Sequence, residues 1–311
     1  MHTNSKNLIF VPFAFIEGAR TGANIKKRTS TLDVYLKNCC VALISARNHN
    51  SSDTDCALVT NINVPEIYKN ILLNNQILII HQDFDCFQFD NNYKWSLAFY
   101  KLCALHQVVR NTNYKNYAYL DSDVYVQSSF EVVWNECCNH ILMYDVYGGC
   151  EVSDSFATEI HDFDNSIHSV IHYGGEFFAT NRKFAMEFSE TSLGVFNKMQ
   201  LKQCVTSHGD EFIISLSALN YSNIISNAEK FICRFWTGTY RSIPEVYRDI
   251  LVLHMPAEKE DGIISLFNQY IAREKSLPGN AMIYKICHLK APSLITRIKI
   301  VVKAILRQIN R

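Results

Sequence analysis

Tyr117-Ala-Tyr-Leu-Asp121-Ser-Asp123-Val-Tyr-Val126 is the stretch that decides how this chain is read. Four apolar or aromatic residues run straight into two carboxylates, and a second short apolar run follows. Such a run, bounded by Asn- and Ser-rich segments, predicts a buried strand of an α/β sheet. Asp121 and Asp123 then stand where the strand leaves the sheet, at the edge where open α/β sheets bind ligands. On fully extended chain the two carboxylates share a face but lie too far apart for one ion, so a turn at Ser122 is expected. Hard oxygen ligands of this kind suit Mg²⁺ or Mn²⁺ bridging a diphosphate.

The chain contains its own controls for that motif. Asp83-Phe-Asp85 and Asp162-Phe-Asp164 have the same spacing. The first follows the apolar run Ile77-Leu-Ile-Ile80 in a mixed segment, and the second lies in a His-, Asp- and Ser-rich stretch. Both read as solvated loop acids.

Working outward, residues 7–16 read as a first strand, with Pro12 placing it at a sheet edge or a strand end. Glu17-Gly-Ala-Arg-Thr-Gly follows and matches neither phosphate-loop fingerprint. Helices are expected over residues 31–46, 64–73 and 94–109, with strands over 56–60 and 76–81 between them. This alternation predicts a largely parallel sheet covered by helices. Beyond Val126 the expected elements are a helix over 130–138 and a strand over 141–147. Residues 154–168 are polar and read as a loop. His172-Tyr-Gly-Gly-Glu-Phe-Phe-Ala-Thr-Asn181 reads as a glycine turn opening onto an apolar strand, with a helix over 182–198 after it. Residues 210–219 read as a helix with two acids in its first turn, as the macrodipole favours, and with Ser207 as a candidate cap. Residues 251–256 form a short strand ending at a histidine and a proline.

Composition narrows the class. With 311 residues, 48% hydrophobic and 19% charged, the chain is a folded protein rather than a disordered one. Thirty basic and thirty acidic residues cancel, which removes any global field toward nucleic acid. Eleven cysteines without a C-x₂-C pair predict free, mostly buried thiols in a reducing compartment. The short apolar start, interrupted by Glu17 and Arg20, suits neither a membrane span nor a signal peptide, so a cytoplasmic protein is expected. Residues 291–311 differ from the rest. Lys299, Lys303, Arg307 and Arg311 form one stripe, with Ile295, Ile298, Val302, Ile305, Leu306 and Ile309 largely opposite. That pattern predicts a basic amphipathic helix lying on an anionic membrane surface; a helix docked on the body is the alternative.

Four elements occur in order: Asp121-Ser-Asp123, Gly174-Gly-Glu-Phe-Phe, Gly209-Asp-Glu-Phe-Ile-Ile and His254-Met-Pro-Ala-Glu-Lys259. Together they resemble the GT-A class of nucleotide-sugar glycosyltransferases, in a layout similar to retaining members of the glycogenin and lipopolysaccharide-transferase type. The Gly-Gly and Asp-Glu stretches also look like the blood-group transferase type. One departure is that the glycine and Pro-Trp usual around the late lysine are missing at Lys259. The resemblance implies an α/β, GT-A (Rossmann-like) domain over residues 1–290, with a nucleotide-binding half to about 126 and a sugar and acceptor half beyond it. It implies transfer from a nucleotide-sugar donor, expected to be UDP-linked, to a glycan acceptor such as a lipid-linked O-antigen, capsule or lipopolysaccharide intermediate.

The resemblance also assigns roles. Asp121, Asp123 and His254 would hold Mn²⁺ or Mg²⁺, although His254 also reads as a structural histidine. Lys101, Ser122 and Lys259 would meet the diphosphate; Lys259 between two glutamates also reads as a solvated loop residue. Gly174, Gly175, Glu176 and Trp236 would meet the donor sugar, with an ordinary turn and a core aromatic as the alternatives for the glycines and Trp236. Asp210 and Glu211 are the catalytic candidates. Two rival readings remain: a sugar nucleotidyltransferase, which needs a better glycine-rich phosphate loop than Glu17-Gly-Ala-Arg-Thr-Gly, and a non-catalytic glycan- or membrane-binding protein of the same fold.

Overall fold

The computed structural model describes residues 6–19, 25, 30–237, 249–273 and 275–289. The basic helix expected over 291–311 lies outside the described residues. The first half alternates as expected: β1 (Asn7–Phe13), α1 (Thr31–His49), β2 (Thr54–Thr60), α2 (Glu66–Asn74), β3 (Ile77–His81), α3 (Tyr100–Asn111) and β4 (Asn116–Leu120). A single 3₁₀ turn, Ser96–Phe99, leads into α3. The second half holds β5 (Val124–Val126), α4 (Glu131–Cys137), β6 (Ile141–Asp145), α5 (Asp154–Phe163), β7 (Tyr173–Asn181), α6 (Arg182–Leu201), α7 (Asp210–Ala218), β8 (Ile225–Asn227), β9 (Ile232–Arg234), β10 (Val252–His254), α8 (Gly262–Ala272) and α9 (Asn280–Ile286).

Seven strands form the main sheet in the order β3-β2-β1-β4-β7-β6-β8. Six run one way, and β7 alone runs against its neighbours β4 and β6. The fold is thus α/β, with a mostly parallel central sheet flanked by helices. Side chains alternate between two cores, as a strand covered on both faces requires. Ile9, Val11 and Phe13 of β1 pack with Leu36 and Cys40 of α1 on one face. Leu8 and Phe10 pack with the core of α3, α6 and α7 on the other. From β1 the chain builds outward through β2 and β3, then returns to place β4 on the other side of β1. The strand order therefore reverses between β1 and β4, and ligands of such sheets bind at the carboxyl ends flanking that point.

A smaller sheet, β5-β10-β9, begins where β4 ends. Asp121-Ser-Asp123 is the corner between the two sheets, with the expected turn at Ser122. The corner is pinned on both sides: Asp121 donates its amide to the Glu176 carbonyl, and Met255 donates to that of Asp123.

Several sequence readings are corrected. Residues 154–163 are helix α5, not loop. Ser153 caps it by accepting from the Phe156 amide, and Phe156, Ile160 and Phe163 bury one face through an otherwise polar stretch. Gly174 and Gly175 lie inside β7, not in a turn. Ser207 does not cap α7; Gly209 does so at φ 63°, while the Ser207 hydroxyl and amide donate to Glu159. β1 is a central strand, so of the two places that Pro12 indicated it is the strand end, not the sheet edge, that holds. Pro12 is accommodated near its end, where pairing with β4 has already stopped at Phe10. Among the described residues no helix is long and apolar enough to cross a membrane.

The burial of Phe156 gives a test of α5. Phe156→Ala should cost about 3–5 kcal/mol, as loss of a fully buried ring does. Urea unfolding should show it as a lower midpoint, whereas a solvated loop would leave the midpoint unmoved.

Candidate active site

A cavity of about 340 Å³ opens at the β1/β4 switch point. The carboxyl end of β1, the Asp121–Asp123 corner, the start of α7 and the ends of β9 and β10 line it. Strand register explains who meets whom. His254 pairs with Val124 of β5 on one side and with Arg234 of β9 on the other. One cross-strand row therefore places His254 between Val124, the neighbour of Asp123, and Arg234, and both His254 and Arg234 meet Glu176. His254 Nε2 lies 3.4 Å from Asp123 and 3.9 Å from Asp121. One ligand atom from each of Asp121, Asp123 and His254 falls within 4.8 Å of the others.

Asp123 is 1% exposed, yet neither carboxylate oxygen accepts a well-formed hydrogen bond. Lys259 Nζ, 3.2 Å away, supplies charge without completing that geometry. A buried carboxylate with open lone pairs, a second carboxylate and an imidazole form a donor set that fits a divalent cation. Behind the imidazole, Nδ1 lies 3.4 Å from Glu176. A carboxylate in that place orients a ligating histidine.

The second cluster is a relay of buried charges. Arg234 grips Glu176 with two bonds of 2.8 and 2.7 Å and reaches Glu211 at 2.8 Å. Glu211 also meets His172 Nε2 at 2.7 Å, and His172 stacks flat on Phe156 with centroids 4.0 Å apart. Lys101 Nζ lies 2.7 Å from Asp121, 2.8 Å from the Gly175 carbonyl and 3.1 Å from Asp210. Two of its protons go to Asp121 and the Gly175 carbonyl, and Asp210 lies within ion-pair distance, so Lys101 ties the corner to α7.

The two glycines of β7 make room for these ion pairs. A Cβ on Gly174 would sit 2.0 Å from a Glu176 oxygen, and one on Gly175 would sit 2.1 Å from Asp210 Oδ2. Their need is space beside charged groups, not a left-handed backbone.

Protonation follows from these neighbours. Burial opposes charge on Asp123, but Lys259 and His254 outweigh it and hold its pKa below the usual range. Burial likewise disfavours His254 cation, yet Asp123 and Glu176 raise it to about 9. Burial lifts Asp210 to about 6, with Lys101 pulling down and Glu211 pushing up. Glu211 is lowered, because His172 and Arg234 outweigh its burial.

The structure thus brings Asp121, Ser122, Asp123, Lys101, Gly175, Asp210, Glu211, Trp236, His254 and Lys259 to one cavity wall, while Glu176 and Gly174 stand just behind. Trp236 is 45% exposed at the cavity, which corrects the core alternative. Lys259 is not a solvated loop residue: its side chain is 13% exposed, and its carbonyl accepts from Asn38 of α1. His254 faces three carboxylates, Asp121, Asp123 and Glu176, rather than backbone acceptors. Arg234 and His172 went unassigned in the sequence. Both flank recognised motifs, but only the pairing of β9 with β10 and the packing on α5 reveal their partners.

No protein-family model matches the chain, and no curated protein matches it in sequence.

Two expectations follow. Arg234→Ala leaves Glu176 buried without its partner and should cost about 3–5 kcal/mol in unfolding experiments. A divalent ion that took His254 as a ligand would have to displace its proton, and the pKa there is raised to about 9. Mn²⁺ affinity should therefore climb by up to about tenfold per pH unit from pH 7 and level off near 9. Calorimetric titration across that range checks it, and a flat profile would exclude His254 as a ligand.

Proposed function

We propose that the chain is a metal-dependent glycosyltransferase that uses a nucleotide-diphosphate sugar, UDP-linked in the simplest case, and a glycan acceptor. The observation that carries this reading is the Asp121–Asp123–His254 set, opened into the switch-point cavity with Lys259 beside it. Mn²⁺ or Mg²⁺ bound there would neutralise a diphosphate and the charge that grows on it as it leaves. Lys259, already at Asp123, supplies a second positive charge on the same side. The fold is shared by many chemistries, so the GT-A assignment rests on this site and its motif order.

The two acids of α7 divide the remaining work. Glu211 is held ionised by Arg234 and His172, which suits it to bind sugar hydroxyls and support positive charge at the anomeric carbon. Asp210, raised to about 6, is placed to exchange a proton near neutrality. Trp236 presents an aromatic face at the cavity for a sugar ring. A lipid-linked acceptor matches the basic tail expected over 291–311, which would hold the chain at the cytoplasmic face of an anionic membrane.

Hydrolysis of UDP-sugars in the absence of acceptor, dependent on Mn²⁺, tests the reading. Asp123→Ala should abolish it while leaving the far-ultraviolet circular dichroism unchanged; near-normal turnover of the variant at limiting Mn²⁺ would remove the metal assignment. Glu211→Gln should lower turnover on the order of 10²-fold or more while UDP affinity holds. Loss of both together would make Glu211 a structural residue.

A further inference from the structure

Two groups among the described residues bring three metal-ligating side chains within 4.8 Å of one another. One is the Asp121–Asp123–His254 set. The other is Asp85, Cys86 and Cys103, which the glycosyltransferase reading leaves unused. It joins the irregular segment after β3 to the first turns of α3.

The spacing of its donors is specific. Cys86 Sγ and Cys103 Sγ lie 3.2 Å apart. Cys103 Sγ is 3.6 Å from Asp85 Oδ1 and 3.5 Å from the Asp83 carbonyl oxygen. A tetrahedral ion with bonds of about 2.3 Å to sulfur and 2.0–2.2 Å to oxygen spaces its ligands roughly 3.4–3.8 Å apart. The three edges that run from Cys103 Sγ, to Cys86 Sγ, the Asp85 carboxylate and the Asp83 carbonyl, therefore already have about the lengths of such a polyhedron, and the Asp85 and Cys86 donors lie within 4.8 Å of each other. The sulfurs need only move slightly apart to admit an ion, whereas a covalent bond of about 2.05 Å would draw them together by more than 1 Å. Outside the donors, Gln107, one turn along α3 from Cys103, donates its side-chain amide to Asp85 Oδ1. That bond orients the carboxylate in the way outer partners orient metal ligands.

We propose that Asp85, Cys86 and Cys103, with the Asp83 carbonyl, form a structural zinc site. Two thiolates make the set soft, so it selects Zn²⁺ over the Mn²⁺ or Mg²⁺ suited to the oxygen-rich site. Its consequence lies in the chain it closes. Between Cys86 and Cys103 run Trp95, Leu97 and Ala98, which line the active-site cavity, and Lys101, which ties Asp121 to Asp210. Tyr100 already bonds the Gln82 carbonyl at the root of the same segment. An ion between Cys86 and Cys103 staples that segment to α3 and fixes one wall of the cavity.

Cobalt is the probe, because thiolate ligation to Co²⁺ gives charge-transfer absorption in the near ultraviolet that oxygen ligation does not. The full chain, purified reduced, should take up about one equivalent of Co²⁺ with that band, and Zn²⁺ should erase it. Cys86→Ser, at a half-buried position, should lose the band while the protein remains folded by circular dichroism. Asp123→Ala should keep it, separating this site from the oxygen-rich one. Absence of the band in fully reduced wild type, or its persistence in Cys86→Ser, would overturn the site. So would mass-spectrometric detection of a Cys86–Cys103 disulfide that added zinc does not prevent.

Discussion

The arrangement depends on an imbalance of buried charge. Around one cavity, Asp121, Asp123, Glu176, Asp210 and Glu211 face three permanent cations, Lys101, Arg234 and Lys259. Two negative charges are left over in a region where uncompensated charge costs several kcal/mol. Asp123 and Glu176 relieve part of the excess by raising His254 so that it carries a proton, and burial, with Glu211 and Asp121 adding to it, raises Asp210 in the same direction. A divalent cation at Asp121, Asp123 and His254 would relieve it completely. The same imbalance that favours a proton on His254 would favour a divalent cation in its place.

Everything else in the site follows from holding those charges still. The main sheet supplies Asp121 at the end of β4 and Glu176 on the adjacent β7, while the small sheet supplies Arg234 and His254 in a single cross-strand row. Gly174 and Gly175 lack side chains because the space beside them belongs to Glu176, Arg234, Lys101 and Asp210. α5 buries Phe156, whose ring supports His172, whose imidazole in turn holds Glu211. The Glu211 carboxylate is thus positioned by packing that begins in a helix with no charge in the cavity.

Local signals made much of this legible in the sequence. The strand-end carboxylates, the β/α alternation and the acidic start of α7 each follow from a short run of residues, and the structure has them where expected. What the sequence hid depends on pairing at a distance. The polar surface of α5 masks its three buried aromatic and aliphatic residues, so residues 154–163 read as loop. Arg234 and His254 are twenty residues apart in the chain and become neighbours only through parallel pairing of β9 and β10. Gly174-Gly175 looks like turn chemistry, because sequence shows a missing side chain but not the carboxylates that fill its place.

The most direct test of the central claim is the coupling between Mn²⁺ and UDP, measured by electron paramagnetic resonance of free Mn²⁺ during UDP titration. If Asp121, Asp123 and His254 hold an ion that a diphosphate completes, UDP must tighten Mn²⁺ binding and Mn²⁺ must tighten UDP by the same factor. Uridine, which lacks the diphosphate, should leave Mn²⁺ binding unchanged. UDP affinity that is equal with and without Mn²⁺ would contradict the metal–diphosphate site and the activity built on it.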